Sequence, residues 1–431
     1  MTILFSHATV LCMDEAGTVL QDGYVLVRGR EIAYVGPIRP QERADREVNA
    51  TGKVLMPGFV DAHTHLTMSL MRGYGGGHDL QTWLNDYIFP VEAKLDSRAV
   101  RAGTALSLAE AIAGGVTSVS DMYYFCDDII AEVVKSGISA NIARGATVFT
   151  EDFFPEAYPA CAETCQLTEK WHNYNDGQIK IDACIHGEYT SNPKLWTWMA
   201  DFARSHGLQM HVHLSETKAE QEGCLQRHGM TPAAVFERYG LWDTPAIAAH
   251  CVWTTPEDWE ILRRHGVTAV HNPASNMKLA SGAAPVAQLL TAGVNVALGT
   301  DGMSSNDNHS MFEEMKLAAL LARVTSLDPL ALRDDTVLKM ATVNGARAQG
   351  RHAGVVAAGY QADLILVDLR APNLQPCHDV KSNLIYAANA SNVCMNMARG
   401  TIIYENGNFL TLDLDEILRE VERYAVPKLF S

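Results

Sequence analysis

The chain has little cysteine, and what it has is not arranged for cross-linking. Nine cysteines are scattered over 431 residues, odd in number and without CxxC spacing. Reduced and mostly buried thiols are the default for that pattern, so a cytoplasmic protein is expected. Basic residues are also scarce. Lys and Arg number 34 against 50 Asp and Glu, a net charge of −16, which argues against nucleic acid or an anionic membrane surface as partner. No apolar run reaches the roughly 18 residues of a membrane span. No charged leader followed by an apolar stretch opens the chain, so neither spanning nor secretion is expected. The glycine-rich stretch Gly73 to Gly77 lacks the Lys-Ser/Thr of a phosphate loop and reads instead as a mobile active-site loop. A partial deaminase-type zinc signature, His186-Gly187-Glu188 with Pro376-Cys377, fails because position 380 is Val.

What the chain does have is histidine at the ends of apolar runs. In Phe59-Val60-Asp61-Ala62-His63-Thr64-His65 two imidazoles alternate at i and i+2, the spacing that puts both on one face of a strand. The run Leu208 to His213 ends the same way, with Glu216 three residues on; Pro245 to His250 is a third and Val294 to Asp301 a fourth. A polar group at the C-terminal end of each apolar strand is the pattern of a parallel barrel with its site at that face.

With Val116 to Asp121, Ile138 to Arg144, Ile179 to His186 and Val267 to His271, and the first strand taken as Gly58 to His63, the strand-like runs number eight. Helical spacing falls between most of them, as in Asp96 to Ala113, Lys194 to His206, Pro256 to His265 and Pro285 to Ala292. The expected fold is α/β, a (β/α)8 TIM-like barrel. Short β-branched runs punctuated by glycine open the chain (Thr2 to Met13, Tyr24 to Arg28, Ile32 to Val35) and return near its end (Ala362 to Val367, Val393 to Arg399, Thr401 to Tyr404). The barrel is therefore expected as an insertion, residues 57–352, in a small β-sandwich formed by both chain ends, residues 1–56 and 353–431, the latter with a C-terminal helix.

Read together, His63, His65, His213 and Asp301 make a ligand set for one divalent ion, zinc or iron, of the kind that activates water. Glu216 is placed to shuttle protons and His250 to hydrogen-bond the activated water. Singly, each has a bland reading: a hydrogen-bonded core histidine, or an aspartate capping a turn. Five such residues on four strands, all at one end, are hard to explain as packing.

These strings resemble the amidohydrolase superfamily, over essentially the whole chain: Pro57-Gly58-Phe59-Val60-Asp61-Ala62-His63-Thr64-His65, His213-x-x-Glu216, His250, Gly299-Thr300-Asp301 and Gly359-Tyr360-Gln361-Ala362-Asp363-Leu364. Where binuclear members carry a carbamylated lysine, at the end of the fourth barrel strand, this chain has His186, which favours one metal. The strings Trp83-Leu84…Ile88-Phe89-Pro90-Val91-Glu92, Asn272-Pro273-x-Ser275-Asn276-Met277-Lys278-Leu279-Ala280-Ser281-Gly282 and Asp301-Gly302-x-x-Ser305-Asn306 resemble the 5′-methylthioadenosine/S-adenosylhomocysteine deaminases.

By that resemblance Glu92 binds the ribose 2′- and 3′-hydroxyls, Trp83 packs against the nucleoside, and Arg144 and His186 contact its ribose and base region. Without it, Trp83 and Glu92 read as part of a capped surface helix. The implied reaction is hydrolytic replacement of the 6-amino group of an adenosine-type nucleoside by oxygen. Asp301 takes a proton from water and Glu216 delivers one to N1. The acidic, aromatic loop Glu151-Asp152-Phe153-Phe154-Pro155-Glu156 favours 5′-methylthioadenosine, 5′-deoxyadenosine or adenosine over S-adenosylhomocysteine. The alternatives are the same site on guanine, a pterin or a triazine, and a non-catalytic scaffold on the same barrel. The expected partner is a small-molecule nucleoside. A homo-oligomer is the base-rate expectation.

Overall fold

Both chain ends enter one nine-stranded sheet, and the strand that leads into the barrel lies in its middle. In the computed structural model, which describes residues 1–150 and 154–431, Lys53–Pro57 runs parallel to Thr2–Leu11 on one side. On the other it runs antiparallel to Leu364–Asp368, with Ile365 opposite Met56. Val19–Arg28 and Glu31–Gly36 extend the first side, Val393–Ala398 and Thr401–Glu405 the second. Gly58 is the hinge from sheet to barrel. A Cβ there would lie 2.2 Å from the Thr117 methyl, so only a residue without one lets the two layers approach.

The barrel strands follow one another in chain order, all parallel: Phe59–His65, Val116–Tyr123, Ser139–Arg144, Ile179–Cys184, Met210–Leu214, Ala246–His250, Thr268–His271 and Asn295–Leu298. The eighth breaks at Gly299-Thr300 and resumes as Asp301–Gly302, which pairs with Thr64 and His65 of the first and closes the ring. At that seam a Cβ on Gly299 would sit 2.7 Å from the carbonyl oxygen of His63, a second position where glycine is required. These strands are buried on both faces, as helix-covered parallel strands are, which explains their near-continuous apolar runs.

The expected strands all form, most within two residues of their expected ends; Val19–Arg28 begins well before the expected Tyr24, and the eighth barrel strand is interrupted at Gly299-Thr300. The fourth stops at Cys184 and leaves His186 just beyond the paired segment. Of the expected helices, Ser97–Ala113 begins at an Asp96 cap whose carboxylate accepts from Ala99 N at 2.9 Å. Pro193–His206 and Pro256–His265 each place proline at the first turn and glycine just past the end. Val286–Thr291 is shorter than its pattern, because Ala292-Gly293 turn the chain into the eighth strand.

The last helical stretch, Leu414 to Phe430, packs against the barrel. Glu420 pairs with Arg98, Tyr424 Oη donates to Asp96 at 2.6 Å, and Lys94 Nζ donates to the Leu429 carbonyl at 2.8 Å. No helix among the described residues is long and apolar enough to cross a membrane.

Candidate active site

The polar strand ends converge. His63, His65 and His213 bring ligand nitrogens within 4.8 Å of one another, and His63, His250 and Asp301 form a second such group. Asp301 Oδ1 lies 3.4 Å from His63 Nε2 and 3.2 Å from His65 Nε2. The outer nitrogen of each of the three expected histidine ligands is already engaged. His65 Nδ1 meets the Met122 carbonyl at 2.5 Å, His213 Nδ1 the His186 carbonyl at 2.7 Å, and His63 Nδ1 the Nε2 of His211 at 2.9 Å. A carbonyl accepts only, so His65 and His213 carry a proton on Nδ1, which leaves Nε2 as the nitrogen each can offer to a cation.

His63 Nε2 is buried with no hydrogen-bond partner, an orphan that a cation would satisfy. Charge points the same way. Burial lowers the His63 pKa to about 4. Burial acts to lower that of His65 as well, but the hydrogen bond and charge of Asp301 outweigh it and push it up to about 9. Burial alone would raise Asp301, yet the two imidazoles hold it well below the usual carboxylate range. The pocket keeps an ionised carboxylate beside three imidazoles, a donor set that fits a divalent ion.

The groups set to handle protons stand opposite. His250 Nε2 lies 3.7 Å from Glu216 Oε2 and 4.0 Å from Asp301 Oδ2, while its Nδ1 is 2.9 Å from Asn276 Oδ1. Burial raises the pKa of Glu216, which suits a group that must carry a proton near neutrality. Its own backbone N–H and that of Ser215 donate to the Glu220 carboxylate at 2.7 and 2.8 Å, locking the turn after the fifth strand. Ser215, His250, Cys251 and Asp301 all have left-handed backbone (φ 50, 75, 51 and 60°). Such conformations are costly for residues with a Cβ and cluster where a site must be aimed.

The expected substrate contacts divide. Trp83, Glu92 and His186 line the same pocket as His65, His213, Glu216, His250 and Asp301. Trp83 and Glu92 are nine residues apart, two and a half turns of a regular helix, which would put them on opposite faces. The segment from Leu80 to Glu92 instead carries a widened π-type turn over Trp83–Ile88, just before Pro90, whose ring and missing N–H disfavour regular helix. The added residue rotates Glu92 back towards the side of Trp83. Glu92 accepts from Tyr123 Oη at 2.6 Å, and burial pushes its carboxyl pKa up to about 7. His186 is held by Thr190 Oγ1 at 3.0 Å and kept neutral by burial, its pKa lowered to about 4.

Arg144 is elsewhere: it lines an adjoining cleft and is paired with Glu163. Glu151 to Phe153 of the acidic loop lie outside the described residues; Phe154 is exposed and Pro155–Ala157 forms a short 3-10 turn. Three supporting residues escaped sequence reasoning: His211 behind His63, Tyr123 on Glu92, and Ser275, whose hydroxyl donates to Asp301 Oδ2 at 2.6 Å. Of these Ser275 and His211 lay in strings already singled out, and Tyr123 did not. His211 completes His-x-His in the fifth strand and offered a weaker signal.

Comparison with known proteins places this geometry in a class. The sequence profile of the amidohydrolase family matches residues 54–403, and the chain belongs to that family. It is 38% identical over 427 residues, 99% of either chain, to a 5-methylthioadenosine/S-adenosylhomocysteine deaminase of Thermoanaerobacter pseudethanolicus. It is 38% identical over 423 residues to a 5′-deoxyadenosine deaminase of Methanosarcina mazei, covering 98% of this chain and 97% of that one. Among solved structures, an adenosine deaminase from Xanthomonas campestris with bound zinc superposes with a TM-score of 0.94 at 33% identity, over 99% of this chain and 98% of that one.

Proposed function

We propose that this protein is a metal-dependent aminohydrolase that replaces the 6-amino group of an adenosine-type nucleoside by oxygen and releases ammonia. The observation that carries the reading is one pocket holding both halves of the chemistry. A three-histidine, one-aspartate ligand set, a buried Glu216 and Glu92, a carboxylate able to accept two sugar hydroxyls, meet in that pocket. The nucleoside-deaminase names of the similar proteins support it. A divalent ion held by His63, His65, His213 and Asp301, with zinc the first choice and iron the second, would supply Lewis-acid activation of water.

The chain's own groups do the rest. Asp301 accepts a proton from the attacking water, and Ser275 fixes the carboxylate oxygen that does so. His250, oriented by Asn276, hydrogen-bonds the water and aims it at C6. Glu216 gives a proton to N1, so negative charge does not accumulate on the ring as the oxygen adds. The proton held by Asp301 passes to the leaving nitrogen, and as the C6–N bond breaks the C6 hydroxyl returns a proton to Glu216. One water is consumed, and one 6-oxopurine and one ammonia result. Trp83 covers the base, and neutral His186 contacts the base region.

Glu92 speaks against a bare guanine, pterin or triazine ring, which offers that carboxylate nothing to bind. The complete ligand set speaks against a non-catalytic scaffold. Nine unpaired cysteines, most of them buried, support a reducing, cytoplasmic setting. The test is loss of the adenine absorbance band with zinc-loaded enzyme on adenosine, 5′-deoxyadenosine and 5′-methylthioadenosine, beside guanine and free adenine. Turnover of the nucleosides, with the free bases slow, is expected. Turnover of guanine alone would overturn the ribose assignment, and no turnover of any would overturn the aminohydrolase.

A further inference from the structure

A second cleft, of about 640 Å³, opens directly beside the pocket and shares Phe89, Glu92 and Tyr124 with it. If the reacting carbon faces the metal ligands and the ribose reaches Glu92, the 5′ substituent continues past Glu92 into this cleft. Its one guanidinium among the described residues, Arg144, is committed. Nε pairs with Glu163, Nη1 donates to the Gly145 carbonyl, and the guanidinium lies 4.9 Å over the Tyr124 ring. The other charged groups on its wall are carboxylates. Asp127 pairs with Lys170 at 2.8 Å and Asp128 accepts from Ser97 at 2.7 Å, both at the start of the helix Cys126–Ser136.

We infer that Glu163 is a specificity-determining residue: by holding Arg144 it makes this cleft a site for uncharged 5′ substituents and closes it to a carboxylate. The inference rests on the nucleoside reading above and deepens it. Arg144 is mostly buried while Glu163 is half exposed. The partner can therefore be changed with little disturbance of the fold, and a carboxylate on the ligand would have to displace Glu163 to reach a cation. A 5′-deoxy or 5′-methylthio group meets instead the apolar surfaces of Phe89, Leu167 and the Tyr124 ring. A carboxylate-bearing tail meets Asp127, Asp128 and Glu163, with no uncommitted cation among the described residues that line the cleft.

The test uses the zinc-loaded full chain as wild type, Glu163→Gln, Arg144→Gln and the double variant. The readout is the ratio of kcat/KM for S-adenosylhomocysteine to that for 5′-deoxyadenosine. The wild-type ratio is expected well below one. Glu163→Gln should raise it roughly tenfold, the scale of a charge-assisted hydrogen bond discounted for partial exposure. In the Arg144→Gln background the same change should do nothing. A ratio that Glu163→Gln leaves unchanged, or a wild-type preference for S-adenosylhomocysteine, overturns the inference. If neither nucleoside is deaminated, the aminohydrolase reading fails on its own. The ratio of their dissociation constants, measured by calorimetry on the same four proteins, then decides: a tenfold shift with Glu163→Gln upholds the role of Glu163, and an unmoved ratio removes it.

Discussion

Replacing Glu216 by glutamine separates proton delivery from metal binding. The side chain is buried, accepts from Ser281 Oγ at 3.2 Å, and faces His250 Nε2 at 3.7 Å. Glutamine keeps its volume and its acceptor oxygen but carries no transferable proton. Glu216 is absent from both groups of clustered ligand atoms, and the turn that presents it is fixed by Glu220 through backbone bonds the substitution does not touch. Loss of a general acid of this kind costs about a hundredfold to ten-thousandfold in kcat, roughly 3–5 kcal/mol of transition-state stabilisation. Steady-state kinetics on 5′-deoxyadenosine would be read beside metal content by emission spectrometry. The expected variant holds the same metal per chain with kcat lowered on that scale and KM little changed. A residual kcat within about tenfold of wild type refutes the proton-delivery role, and loss of metal together with activity refutes the assignment of Glu216 outside the ligand set.

Other consequences are as direct. Glu92, raised by burial to about 7, offers two strong acceptor oxygens to the sugar hydroxyls only when ionised, so kcat/KM for ribosides should fall as pH drops through 7. The fall should vanish in Glu92→Gln, as a pH profile of that variant would record. Tyr123→Phe removes the 2.6 Å donor to Glu92 and should raise KM severalfold at nearly constant kcat, a loss of about 1 kcal/mol. Ser275→Ala frees the Asp301 carboxylate and should lower kcat more than it raises KM, measured on the same substrate. Chelation should abolish turnover and lower the melting temperature, since an ion present at a thousand times its Kd contributes about 4 kcal/mol to stability. Calorimetry with and without restored zinc checks this, and an unmoved melting temperature counts against a resident ion.

The barrel and its ligand set were legible because parallel strands announce themselves as apolar runs, and His63, His65, His213, His250 and Asp301 sit where those runs stop. What holds the ligands was not. The His63–His211 and Tyr123–Glu92 contacts join residues 148 and 31 positions apart, and no local pattern marks their ends. The shared side of Trp83 and Glu92 depends on one widened helical turn, which regular helical spacing places wrongly. Arg144 was expected on the substrate because the resemblance to the nucleoside deaminases implied it. That it pairs with Glu163 depends on how the helix Pro159–Trp171 packs over the third strand, a tertiary choice invisible in the string.

The most direct test of the central claim is to run the zinc-loaded enzyme on 5′-deoxyadenosine in heavy-oxygen water and to analyse both products by mass spectrometry. Hydrolytic deamination predicts one heavy oxygen in the purine product, located at C6, and one ammonia for each nucleoside consumed. Unlabelled product, or cleavage that frees adenine from the sugar with its amino group intact, would contradict it.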